Sequence, residues 1–131
     1  MGASPSGAAA DPALALVVEL TGASPLREGR IRLTIPQLAD TGHSVPVTID
    51  VESPMTAGDF VKVIHLVAPL NPRPLAASFF MGPLAARASI TTRMRLATGQ
   101  DVVAIAMLSD GTHCLARANV VVTVSSCIDG T

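Results

Sequence analysis

From Arg30 to Val124 the chain keeps returning to one pattern, an aliphatic residue at every second position, interrupted at intervals by Gly, Pro, Asp or Asn. In RIRLTI, Ile31, Leu33 and Ile35 alternate with Arg30, Arg32 and Thr34, and in VPVTIDVES the residues Val45, Val47, Ile49 and Val51 share one side. Successive side chains of a strand point to opposite faces, so this period belongs to half-buried strands. FVKVIHLVAPL, LAASFFMG, ASITTRMRLA, DVVAIAMLS and HCLARANVVVTVSS extend the series, with corners at NPRP, TGQ and DGT. Such strands, with no helices between them, predict an all-β fold: an immunoglobulin-like antiparallel β-sandwich of about seven strands. Asp110-Gly111 is the strongest hairpin signal, because a type I′ turn needs positive φ at both central residues. ASPLREG reads as a loop and ADTGHS as a turn, and Pro46 predicts an edge position for its strand.

The one predicted helix is short and N-terminal, capped by Asp11, opened by Pro12 and closed at Gly22. The predicted organisation is a flexible tail over residues 1–10, a sandwich domain over 11–124 and a C-terminal arm over 125–131. A chain of 131 residues suits a single core, and with three Phe and no Tyr or Trp that core must be aliphatic. A net charge of −1 removes the long-range attraction that a nucleic acid or an anionic membrane would exert. The apolar run Leu14–Leu20 is too short to span a bilayer and contains Glu19. MGASPSGAAADPA has neither the basic nor the apolar region of an export signal, as expected of a cytosolic chain or of a mature form whose leader has been removed.

His43, His65 and His113 show no metal-binding spacing, so ordinary surface or strand histidines are expected, with no metal and no cofactor. Asp40, Asp50, Glu52, Asp59, Asp101 and Asp110 fall at turns or strand ends, where Asp side chains bond local amides, and no pair signals acid/base chemistry. Phosphate-binding loops and nucleophile elbows are absent from the sequence. Arg87, Arg93 and Arg95 form a candidate anion-handling strip, against the plainer reading of a solvated sheet face.

The two cysteines differ in kind. Cys114 continues through Ala116, Ala118, Val120, Val122 and Val124 at period two, which predicts a buried thiol behaving as a small hydrophobe. Cys127 lies thirteen positions further along the same extended segment, roughly 40 Å away at about 3.3 Å per residue. An intrachain disulfide is therefore not expected. Cys127 is left as a passive tail thiol, an intermolecular bridge or a reactive attachment point.

VPVTIDVESPMT, VKVIHLVAPLNPRP, ITTRMRLATGQDVVAIAMLSDGT and VVVTVSSC, preceded by REGRIRLTIPQLADTGHSVP, together resemble the SoxY family of the bacterial thiosulfate-oxidising Sox system, from about residue 11 to Cys127. The resemblance implies an immunoglobulin-like fold, a SoxZ-like partner subunit in a heterodimer, and Sox enzymes that load and unload a sulfur compound on Cys127. It also implies a periplasmic, non-enzymatic carrier with no cofactor beyond the covalent adduct. Self-association is expected of the isolated chain. The family ends in GGCGG, whereas here Ser125 and Ser126 precede the cysteine and Ile128, Asp129 and Gly130 follow it. Cβ atoms stiffen this arm, and Asp129 adds a negative charge beside a thiol that must ionise. A subunit that has lost the carrier role, or a carrier for a different sulfur-oxidising system, are the alternatives that this departure opens.

Overall fold

A computed structural model of the protein describes residues 12–22, 26–27 and 29–124. Helix α1 (Pro12–Thr21) is followed by nine strands: β1 (Leu26–Arg27), β2 (Ile31–Thr34), β3 (Leu38–Thr41), β4 (Val45–Val51), β5 (Val61–Val67), β6 (Leu75–Phe80), β7 (Ala88–Met94), β8 (Gln100–Leu108) and β9 (His113–Val124). The larger sheet has the order β1-β9-β8-β5-β6, with β3 also pairing to β9; the smaller has the order β2-β4-β7. The two sheets face one another, and the mostly β sandwich with one short helix is the fold that the sequence predicts.

The core follows from the alternation. Val45, Val47, Ile49 and Val51 are all buried and face Ile64 and Leu66 of β5 and Val102, Ala104, Ala106 and Leu108 of β8. The opposite face of the larger sheet carries a second cluster, in which Val17 of α1 packs on Val67, Val103 and Ile105. The helix stops where Gly22 takes φ 64° and donates its N–H to Val18 O at 2.9 Å, the αL termination that glycine tolerates without Cβ strain. Asp11, the expected cap, lies outside the described residues.

Three local expectations are corrected. Leu26–Arg27 and Leu38–Thr41, read as loop and turn, are short strands, and both run parallel to β9 in an otherwise antiparallel sheet. The strand holding Pro46 is not an edge but the centre of the smaller sheet. Pro46 nevertheless lies beyond the reach of β2, which pairs only with Thr48–Val51, so at that level β4 has β7 alone as neighbour. The β8–β9 hairpin forms at Asp110-Gly111, but not by a type I′ turn. Only Gly111 has positive φ (89°), and Leu108 N–H to Thr112 O closes a three-residue loop at 2.8 Å. The Asp110 carboxylate accepts from Thr112 N–H at 3.0 Å and from its hydroxyl at 2.6 Å.

Candidate functional site: the end of the last strand

Strand β9 is twelve residues long because the sequence from His113 to Val124 offers an unbroken β-compatible run without Gly or Pro. Its partner β8 begins at Gln100, opposite Val120. Beyond Val120 the strand continues on β3, with Leu38, Ala39 and Thr41 paired to Val121, Val122 and Val124. Val121 N–H donates to Gln37 O at 2.9 Å, and Thr123 Oγ1 donates to Asp40 O at 2.8 Å. β3 therefore carries the chain to within three residues of Cys127. Sequence reasoning missed this support because four residues, Leu-Ala-Asp-Thr, are too few for a period to register.

Gly42 anchors this end to the second sheet. Its carbonyl accepts Leu96 N–H at 2.8 Å, and a Cβ there would overlap the Leu96 carbonyl while standing 3.5 Å from Val122 Cγ1. Next to Leu96, Arg95 O accepts from Asn71 Nδ2 at 2.7 Å. Asn71 Oδ1 in turn receives Ala97 N–H at 2.8 Å and Gln100 Nε2 at 3.0 Å. One hydrogen-bonded system thus ties the Pro-rich corner after β5, the end of β7 and the start of β8 together at the end from which the chain leaves.

Cys127, Ser125, Ser126, Ile128, Asp129 and Gly130 lie outside the described residues. Cys114 is buried on the core face of β9, as the alternation predicts, with no exposed surface. The arginines divide. Arg93 and Arg95, with Arg73, line a slot of about 270 Å³ between the edges of β6 and β7. Arg87 lies at the opposite end of β7, in a wider cleft shared with Arg30, Arg32, Asp50 and Glu52. The expected Arg87–Arg93–Arg95 strip is therefore not one site.

Three further carboxylates have structural partners. Asp50 accepts from Ser89 Oγ at 2.6 Å, Asp59 pairs with Arg30 at 3.3 Å, and Asp101 accepts from Asn119 Nδ2 at 2.8 Å and lies 3.7 Å from Arg117 Nε. His65 and His113 occupy the outer face of the larger sheet, and His65 Nδ1 is 2.8 Å from Ser78 Oγ. Burial, and then the charge of His113, hold the His65 pKa below its usual 6.5. Burial alone does the same for His113. Among the described residues no three His, Cys, Asp or Glu side chains gather as a metal-ligand set, and no helix is long and apolar enough to cross a membrane.

The family profile described as sulfur oxidation protein SoxY matches residues 17–127. The sulfur carrier protein SoxY from Chlorobium limicola f thiosulfatophilum superposes with a TM-score of 0.66 at 26% identity, covering 81% of this chain and 87% of that one. The superoxide reductase (neelaredoxin) from Ignicoccus hospitalis superposes with a TM-score of 0.63 at 16% identity, covering 72% and 80%. That from Nanoarchaeum equitans reaches 0.59 at 11%, covering 74% and 99%. At those identities the reductases share the fold alone. No curated protein matches the chain in sequence. A profile that spans the sandwich and runs through Cys127, together with a superposing SoxY structure, places this chain in the SoxY family of sulfur oxidation proteins.

Proposed function

We propose that this protein is a non-enzymatic covalent carrier of sulfur intermediates, with Cys127 on an arm of residues 125–131 as the attachment point. The observation that carries this reading is the extent of the family match, which ends on Cys127 itself. The chain has two cysteines, and the burial of Cys114 leaves Cys127 as the thiol able to meet another protein. In loading, the Cys127 sulfur bonds to the sulfane sulfur of thiosulfate. The thiol proton is released, and two electrons pass to an oxidising Sox enzyme. Water then cleaves the terminal sulfonate as sulfate, leaving a persulfide on Cys127 for further oxidation by partner enzymes. The carrier contributes reach, holding the intermediate at high local concentration for each enzyme in turn. A SoxZ-like subunit and a periplasmic location complete the proposal.

The substituted arm favours one rival, a subunit that has kept the sandwich and lost the carrier role. Loading by purified Sox enzymes separates the two. Cys127→Ser should fold normally and take up no sulfur, while a variant with Gly at 125, 126, 128 and 129 should load at least as fast as the original chain. If the original chain and the glycine variant both stay unloaded, the carrier reading fails.

A further inference from the structure

The larger sheet ends on β6, an edge strand without the devices that usually protect one. On the other side of that sheet β9 is covered in part by β1 and β3. The edges of the smaller sheet, β2 and β7, carry Arg32 and Arg93, and charge on an edge strand opposes pairing with another chain. β6 reads Leu-Ala-Ala-Ser-Phe-Phe, with no charge, Pro or Gly from Leu75 to Phe80. Leu75 and Phe80 at its two ends are both exposed.

The register shows which backbone groups of β6 are free. Met81 N–H donates to Lys62 O at 2.8 Å, in phase with the pairing of Ile64 with Phe79 and of Leu66 with Ala77. Successive residues of a strand present their backbone groups to alternate sides, so Phe79 and Ala77 turn N–H and C=O toward β5. Ser78 and Phe80 turn theirs outward, where β6 has no neighbouring strand. Ala76 is skipped where the register passes from Leu66–Ala77 to Val67–Leu75. The order of side-chain sizes along this edge is self-complementary. In an antiparallel ladder with its two-fold axis at Ser78, Phe79 lies opposite Ala77 of the second copy and Phe80 opposite Ala76, so each ring faces a methyl group. Ser78 meets Ser78 as a hydrogen-bonded pair, and no like charges are brought together. Moving the axis to Phe79 would set that ring against itself and break both Phe–Ala pairs.

We propose that β6 is a homodimerisation edge, at which two copies of this chain pair antiparallel through Ala76–Phe80 about Ser78 and join their larger sheets into one. The inference stands on described residues alone and is independent of the carrier reading. β5 and β8 separate β6 from β9 in the sheet, so the ladder does not involve the strand that leads to Cys127.

Sedimentation and amide hydrogen exchange of the full chain test it, in reductant so that no thiol can link two copies. Raising the concentration from low to high micromolar should convert monomer to dimer and slow exchange at Ser78 N–H and Phe80 N–H roughly tenfold. Phe79 N–H, turned toward β5, should exchange slowly at every concentration. Ala76→Phe should overpack against Phe80 of the second copy and weaken dimerisation roughly tenfold, equivalent to about 1.4 kcal/mol. Adding Phe80→Ala to that variant restores a large–small pair and should return the dimer. Ala76 and Phe80 are both exposed, so these changes leave the core of each copy intact. A chain that stays monomeric, or a dimer whose Ser78 and Phe80 amides exchange as fast as in the monomer, overturns the proposal. So does an Ala76→Phe, Phe80→Ala variant that dimerises no better than Ala76→Phe alone.

Discussion

The chain has two thiols, Cys114 and Cys127, and burial sets the chemistry of the first. Cys114 packs among the core residues between the sheets with no exposed surface, so a thiol reagent should modify the native protein at Cys127 alone and reach Cys114 only on unfolding. Native Cys127→Ser that labels at a comparable rate would contradict the assigned face. The two outer-face histidines set a pH dependence. Both have folded pKa values below the usual 6.5, so below that value the unfolded chain binds more protons than the native one. Stability should be complete above about pH 6.5 and decline as the pH falls toward the lowered values. Replacing His65 and His113 by Gln should flatten that part of the melting-temperature profile, and an unchanged slope would contradict the assignment. The burial of Cys114 was legible because its neighbours keep strict alternation. The environment of His65 was not, since its contact with Ser78 depends on the pairing of β5 with β6.

At the scale of elements, β4, β5, β8 and β9 were readable because each is long enough for its period or its continuous apolar run to outweigh local noise. β1 and β3 were hidden for the opposite reason. They are two and four residues long and exist because β9 presents an open edge for parallel pairing. The same gap obscured the slot, since Arg73 belongs to a corner whose position is set by Asn71 bonding across to Arg95, a contact no local pattern encodes. The β3 junction makes a specific prediction. Gly42→Ala forces its Cβ into the Leu96 carbonyl and should cost about 1–3 kcal/mol, with faster amide exchange at Leu96 and Val121. Gly58→Ala, where a Cβ would meet nothing within 4 Å, should be close to neutral. Equal stability of the two variants in denaturant titrations would show that β3 does not fasten the end of β9.

For the whole molecule, the apolar surface is uneven. Leu75, Phe80 and Leu84, on and just after edge strand β6, are 40%, 80% and 99% exposed, and an unpaired strand edge beside such side chains favours association. The isolated chain should therefore self-associate at high micromolar concentration in reductant, and Phe80→Lys should weaken that association several-fold. A monomer under those conditions in sedimentation would contradict the expectation. The sandwich itself is then a platform with a buried thiol inside and a second thiol three residues past its longest strand. The central claim is that this second thiol carries sulfur, and mass spectrometry of the protein isolated from sulfur-oxidising cells without reductant tests it most directly. The carrier account predicts thiosulfonate or persulfide additions on the peptide containing Cys127 and none on that containing Cys114, whereas an unmodified Cys127, or additions spread over both cysteines, would contradict it.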